Sequence, residues 1–167
     1  MERAARRAIP PATRCAGAES RQNGGGGRSA IETDCVWSSS GKKVLFNETQ
    51  CPLLSTVDAY SAGDFHAKHR SKGGNLYEVS TISLNDMLEK HGSPREIDYL
   101  SIDTEGSELE ILSHLDFDKY RIRAITCEHN YAPIREGLHR LLASKGYRRK
   151  FEDFTGWDDW YTIGREA

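Results

Sequence analysis

The chain has 167 residues, 37% hydrophobic and 29% charged, enough for one ordinary globular domain. No apolar run approaches the ~20 residues that cross a bilayer, which argues against a membrane span. The net charge of -2 is uneven: residues 1–29 hold six Arg and two Glu, leaving 17 basic against 23 acidic residues from position 30 onward. That acidic balance argues against nucleic acid as a partner, because phosphate neutralisation needs clustered Lys and Arg.

Residues 1–29 are rich in Arg, Ala, Pro and Gly, contain the run Gly24–Gly27, and show no apolar periodicity. They read as a disordered or non-homologous low-complexity segment. The glycine run is not a phosphate loop, since no strand precedes it and no Gly-Lys-Ser/Thr follows. An Arg-rich, acid-poor start is compatible with an organelle transit peptide, and equally with a misplaced gene start. Otherwise the expected location is cytoplasmic: Cys15, Cys35, Cys51 and Cys127 lack C-x-x-C spacing. Cys35 and Cys127 fall in predicted strands, where a thiol behaves as a small hydrophobe.

From residue 30 onward the pattern is that of one domain, 30–167. Ile31–Trp37 reads as a strand, Ser38–Gly41 as its turn and Lys43–Phe46 as a second strand. Residues 47–75 read as a polar loop, of a length that usually covers a functional site. Within it, His66 and His69 have no third ligand nearby and read as solvated rather than metal-binding. Tyr77–Thr81 is strand-like. Ser83 then stands as a helix N-cap with Asp86 at the third helical position, and Leu84, Met87 and Leu88 form the stripe that Gly92 ends.

A strand at 97–102 and a helix at 106–115 follow, then a strand at Arg121–Glu128. Pro133 opens another helix, striped by Ile134, Leu138, Leu141 and Leu142. Tyr147–Phe151 and Trp160–Ile163 close the chain as an antiparallel hairpin, with Trp157 and Trp160 expected to pack it. Alternating strands and helices predict an α/β fold with a mostly parallel sheet.

The chemistry is concentrated where the strand at 97–102 meets its helix. In open α/β sheets, ligands bind at the carboxyl ends of the strands. Asp103 and Glu105 sit at that edge. Glu128 and His129 end the neighbouring strand and are expected at the same rim. These four are the catalytic candidates. His129, with an ordinary pKa of about 6.5, is the preferred general base. Glu108 and Glu110 read as helix-start caps or solvated acids. Two acids so near each other could hold a divalent cation, but no third ligand is evident in the sequence, so no residue is assigned to a metal.

Several stretches resemble one family. Ile97-Asp98-Tyr99-Leu100-Ser101-Ile102-Asp103-Thr104-Glu105-Gly106-Ser107-Glu108 is similar to the FkbM-type methyltransferase signature. Tyr77–Leu88, Ile125–Asn130, Trp157–Tyr161 and Thr33–Gly41 resemble flanking segments of that family, so that the likeness covers roughly residues 30–163. The resemblance implies a Rossmann-like class I methyltransferase fold, S-adenosylmethionine as cofactor, and transfer to oxygen. It also implies cofactor contacts at Thr33, Asp34 and Asp103, and a small-molecule, glycan or lipid hydroxyl as acceptor.

Family members open with a strand and a glycine-rich turn, then a second strand ending in an acid. Both would precede Thr33, and residues 1–29 contain neither. The expectation is therefore a domain missing its N-terminal strands. The alternative is a non-catalytic fragment or interaction module, whose open sheet edge beside strand 97–102 invites self-association or a partner. A dinucleotide enzyme is disfavoured because no G-x-G-x-x-G follows a strand.

Overall fold

A computed structural model describes residues 30–164. The readings for residues 1–29, Cys15 included, lie outside the described residues. The elements are β1 (Cys35–Trp37), β2 (Lys43–Thr49), β3 (Thr56–Val57), α1 (Ala67–Arg70), β4 (Gly74–Ser83), α2 (Leu84–Lys90), β5 (Glu96–Ile102), α3 (Glu108–Ser113), β6 (Arg121–Glu128), α4 (Ile134–Ser144), β7 (Tyr147–Lys150) and β8 (Asp158–Ile163). No helix among the described residues is long and apolar enough to cross a membrane.

The strands form two four-stranded sheets, ordered β1-β4-β2-β3 and β5-β6-β8-β7. The β1–β4 and β5–β6 ladders are parallel, whereas β2–β3, β2–β4, β6–β8 and β7–β8 are antiparallel. The chain is thus mixed α/β, and the expectation of a mostly parallel sheet is corrected to two mixed sheets. Parallel neighbours need a crossover, and α3 supplies one between β5 and β6. The closing hairpin inserts β8 between β6 and β7, running against both. β1 and β5 each pair on one side only among the described residues, so each terminates its sheet.

Two boundaries differ from expectation for local reasons. The first strand begins at Cys35 rather than Ile31, because the Glu32 carboxylate takes the N–H groups of Thr33 (2.9 Å) and Asp34 (3.3 Å). The expected loop at 47–75 is largely structured. β2 runs on to Thr49 and β4 starts at Gly74, paired from Lys43↔Ser80 to Thr49↔Gly74. Between them lie β3, α1 and single 3-10 turns at Pro52–Leu54 and Asp58–Tyr60. This extension pairs Asn47, Glu48 and Thr49 with Leu76, Asn75 and Gly74, so no apolar alternation announces it.

The helices start as their caps dictate. The Ser83 hydroxyl accepts the Asp86 N–H at 3.0 Å, and Leu84, Met87 and Leu88 of α2 are buried. One core joins both sheets, running from Val36 and Ile82 through Leu100, Ile111, Leu112, Ile122 and Ile125 to Leu138, Leu142 and Tyr161. Each such fully buried aliphatic side chain contributes about 1.5–3 kcal/mol. Cys35 and Cys127 are buried within β1 and β6. Trp157 and Trp160 remain 45% and 40% exposed, so the hairpin tryptophans lie at the surface rather than inside.

Candidate functional site

β5 delivers the chain to Asp103 at its carboxyl end, and residues 104–107 turn it into α3. That turn is held from three sides. Glu108, almost fully buried, reaches back to accept the N–H of Thr104 at 2.7 Å, its hydroxyl at 3.0 Å and the N–H of Gly106 at 3.0 Å. The Thr56 hydroxyl, from β3, bonds the carbonyls of Thr104 (3.2 Å) and Glu105 (3.0 Å). Tyr60 packs against Gly106, where an added Cβ would meet the Tyr60 Cβ at 3.2 Å, and the φ of +117° there already favours glycine. Glu105 itself adopts a φ of 58°, as do Asn130 (44°) and Tyr131 (54°) in the turn after β6. Left-handed non-glycine backbone persists only where surrounding contacts over-determine it.

The two turns bring Asp103, Glu105 and Glu128 together. One carboxylate oxygen from each lies within 4.8 Å of the others. Asp103 faces solvent, whereas Glu105 is buried. Burial and the neighbouring charges of Asp103 and Glu105 push the Glu128 carboxyl up to about 10. Glu105 rises to about 7, mainly through burial, with Arg70 opposing the rise and Asp103 adding to it. Asp158 lies opposite Glu128 in the β6–β8 ladder, and burial with the charges of Asp103 and Asp159 raises it too. This is a rim of carboxylates that cannot all ionise comfortably.

Three further residues secure Glu105. Arg70, buried at the end of α1, donates from Nη2 to Glu105 Oε2 at 2.6 Å, from Nη1 to Asp64 Oδ1 at 2.6 Å, and from Nε to the Leu54 carbonyl at 2.8 Å. Asn130 donates from Nδ2 to the same Glu105 oxygen at 3.2 Å. Arg70, Asp64, Asn130 and Asp158 escape sequence reasoning. Only Asp158 left a readable signal, since pairing the closing hairpin with β6 sets it beside Glu128.

His129 is placed differently. Successive strand residues point to opposite faces, so the ring turns away from Glu128. Its Nδ1 accepts the Tyr131 N–H at 3.0 Å, which assigns the proton to Nε2, and Nε2 stands 3.7 Å from Asp159 Oδ1. Burial lowers its pKa. Asp159 opposes its own burial by accepting a fork from Arg135, with both bonds at 2.8 Å, and titrates below the usual range. No hydrogen bond or ion pair among the described residues joins the His129 ring to Asp103, Glu105 or Glu128.

Thr33 and Asp34 are not brought to the rim either. They wrap Glu32, whose carboxylate binds Lys90 at 2.8 Å and His91 at 3.2 Å, just beyond the carboxyl end of α2. The carboxyl end of β1 points the other way, where Trp37 meets Tyr60. His66 joins an aromatic group with Phe65 and Trp157, and Tyr131 completes it against Trp157 at 5.2 Å. Beside the acid turn lies a cleft of about 270 Å³, lined by Tyr60, Gly106, Leu109, Ala132, Pro133 and Ile134 among others.

The family model described as "Methyltransferase FkbM domain" matches residues 27–160. Neither the curated proteins nor the solved structures hold a match to this chain. The match covers most of the sequence, and the chain belongs to the FkbM methyltransferase family.

Proposed function

We propose that this member of the FkbM methyltransferase family moves a methyl group from S-adenosylmethionine to a hydroxyl seated at the rim of Asp103, Glu105 and Glu128. The observation that carries the reading is the convergence of three carboxylates from two turns at one sheet edge. The donor set fits the cofactor's cationic end. Asp103, Glu105 and Asp158, with the Glu128 carboxyl beside them, leave a place for a positive group next to the Arg70 guanidinium, and a mostly apolar cleft adjoins them. Thr33 and Asp34, at the opposite end of β1, have no part in this fit.

The cofactor supplies an electrophilic methyl on a sulfonium, whose transfer needs positioning above all. The chain's own residues hold and deprotonate the acceptor. Asp103 is the exposed carboxylate and lies where the sulfonium and the acceptor hydroxyl meet, so it serves cofactor binding as well as the acceptor. Glu105, near 7, stands close to the pH at which proton exchange is most effective. His129 acts by fixing the turn after β6 through Tyr131 and is a positioning residue, not the base. A small-molecule, a glycan or a lipid hydroxyl would each meet this chemistry. Isothermal titration with S-adenosylhomocysteine tests the reading: micromolar binding supports it, and absence of heat removes it.

A second reading has its own observation. β1 and β5 each offer an open ladder side among the described residues, and a strand from a second copy or another partner would pair there. On that reading the chain is a non-catalytic interaction module. Concentration-dependent sedimentation together with no cofactor binding would favour it.

A further inference from the structure

We propose that Asp103, Glu105, Glu128 and Asn130 form a binding site for one hard divalent cation of the calcium or magnesium type. The carboxylate oxygens of the three acids lie within 4.8 Å of one another. Oxygens sharing one calcium ion stand at most twice the metal–oxygen length apart, roughly 5 Å, so the observed span needs no rearrangement. Magnesium, with bonds of about 2.1 Å, needs a pair at the full span to close by about 0.6 Å or more. The donor set is oxygen alone, which suits hard ions rather than zinc or copper.

Acids in proximity would not by themselves define a site. Asn130 supplies the independent observation. The residue is 4% exposed, and its Oδ1 is buried without a hydrogen-bond partner. The other end of the same amide is fixed on Glu105 Oε2 at 3.2 Å. Flipping the amide would set two oxygens against each other, so the assignment of Oδ1 is forced by its neighbour. Glu128 Oε2 is likewise buried and unpartnered. Two buried oxygens, one on Asn130 and one on Glu128, thus lack a donor, and a cation bound by both residues would satisfy them.

The charge balance points the same way. Arg70 and Asn130 both bind Oε2 of Glu105, leaving Oε1 without either of them. Arg70 is shared with Asp64, so a single guanidinium serves two carboxylates while Asp103, Glu128 and Asp158 add three more acids. Asp103 is exposed, so one side of the ion stays open to water or to an incoming hydroxyl oxygen. With the ion in place, that hydroxyl would meet the metal rather than Asp103. The inference concerns ion binding alone and does not depend on methyl transfer.

Calcium chloride and magnesium chloride, titrated separately into the full-length chain near neutral pH without methyl donor, test it by calorimetry and thermal shift. One equivalent of saturable binding with Kd of about 0.1–1 mM for either ion, and a raised Tm, is expected. Glu128→Gln should weaken binding at least about tenfold, and Asn130→Gly, which tolerates the left-handed backbone, should weaken it also. Glu96→Gln, a surface acid of β5 paired with Arg123, should leave it unchanged. If Glu128→Gln does not fold, the exposed Asp103→Asn takes its place. No saturable binding of either ion up to about 10 mM, or equal binding in the rim variants, overturns the site.

Discussion

Arg70 and Glu105 are 35 positions apart in the chain, yet Nη2 of one lies 2.6 Å from Oε2 of the other, with both side chains removed from solvent. This pair fastens the 58–72 segment to the turn after β5, and the acid rim takes its shape from it.

Removing the guanidinium strands two carboxylates, Asp64 and Glu105, in a buried setting. Arg70→Ala should therefore destabilise the fold by about 3–5 kcal/mol, the usual cost of breaking a buried pair from one side. Arg70→Lys should recover part of this, because one ammonium cannot serve Asp64, Glu105 and the Leu54 carbonyl in fork geometry. Urea unfolding near neutral pH measures both, and a loss under about 1 kcal/mol for the alanine variant would show that the pair does not organise the turn.

Glu108 holds the backbone of the same turn. Glu108→Ala leaves the N–H groups of Thr104 and Gly106 unanswered, at about 1–3 kcal/mol for each buried group. Hydrogen exchange at these two amides should accelerate well beyond that of the β5–β6 ladder. Unchanged protection at Thr104 and Gly106 would contradict the capping role.

Glu32 sets an acid-side dependence at the opposite end of the molecule. Lys90, above all, holds its carboxyl down at about 2, against an ordinary value of 4.5. A carboxyl lowered by folding stabilises the native state above its unfolded value and loses that contribution as pH falls. The stability gap between wild type and Glu32→Gln should thus be full above about pH 4.5 and close toward pH 2. Urea midpoints across this window report it, and a gap constant with pH would reject the pairing.

His129 provides a contrast between structure and chemistry. His129→Gln should cost about 1–2 kcal/mol, through loss of the Tyr131 N–H bond and of buried packing. Affinity for S-adenosylhomocysteine should change less than about twofold, since that is under 0.5 kcal/mol. Loss of ligand with stability intact would place the ring in the site after all.

The segments that read clearly in sequence are those whose apolar pattern and fold agree. The run from Ile97 to Ile102 is β5, the Ser83 cap starts α2, and Ile134, Leu138, Leu141 and Leu142 face the core from α4. The polar extension of β2 through Asn47, Glu48 and Thr49 was illegible, because its ladder with β4 is held by backbone bonds and not by alternating hydrophobes. A mostly parallel sheet was expected because helices separate the strands. Helix alternation does not reveal that a hairpin will insert β8 against β6.

At the candidate rim, the position of Asp103 and Glu105 between strand and helix was legible. Arg70 was not, since nothing near residue 70 announces a partner beyond position 100. The expectation that Glu128 and His129 share a rim overlooked the two-residue period of a strand, which sends neighbours to opposite faces. Thr33 and Asp34 came from resemblance alone, and the local pull of Glu32 holds them elsewhere.

Calorimetric titration of S-adenosylmethionine into the full-length chain, wild type and Asp103→Asn, tests the central claim most directly. Asp103 is exposed, so the substitution removes a charge without opening the core. Micromolar binding in the wild type, weakened at least about tenfold (about 1.4 kcal/mol) in the variant, is the predicted result. Equal affinity in both proteins, or no binding to either, would contradict the assignment of the Asp103–Glu105–Glu128 rim as the ligand site.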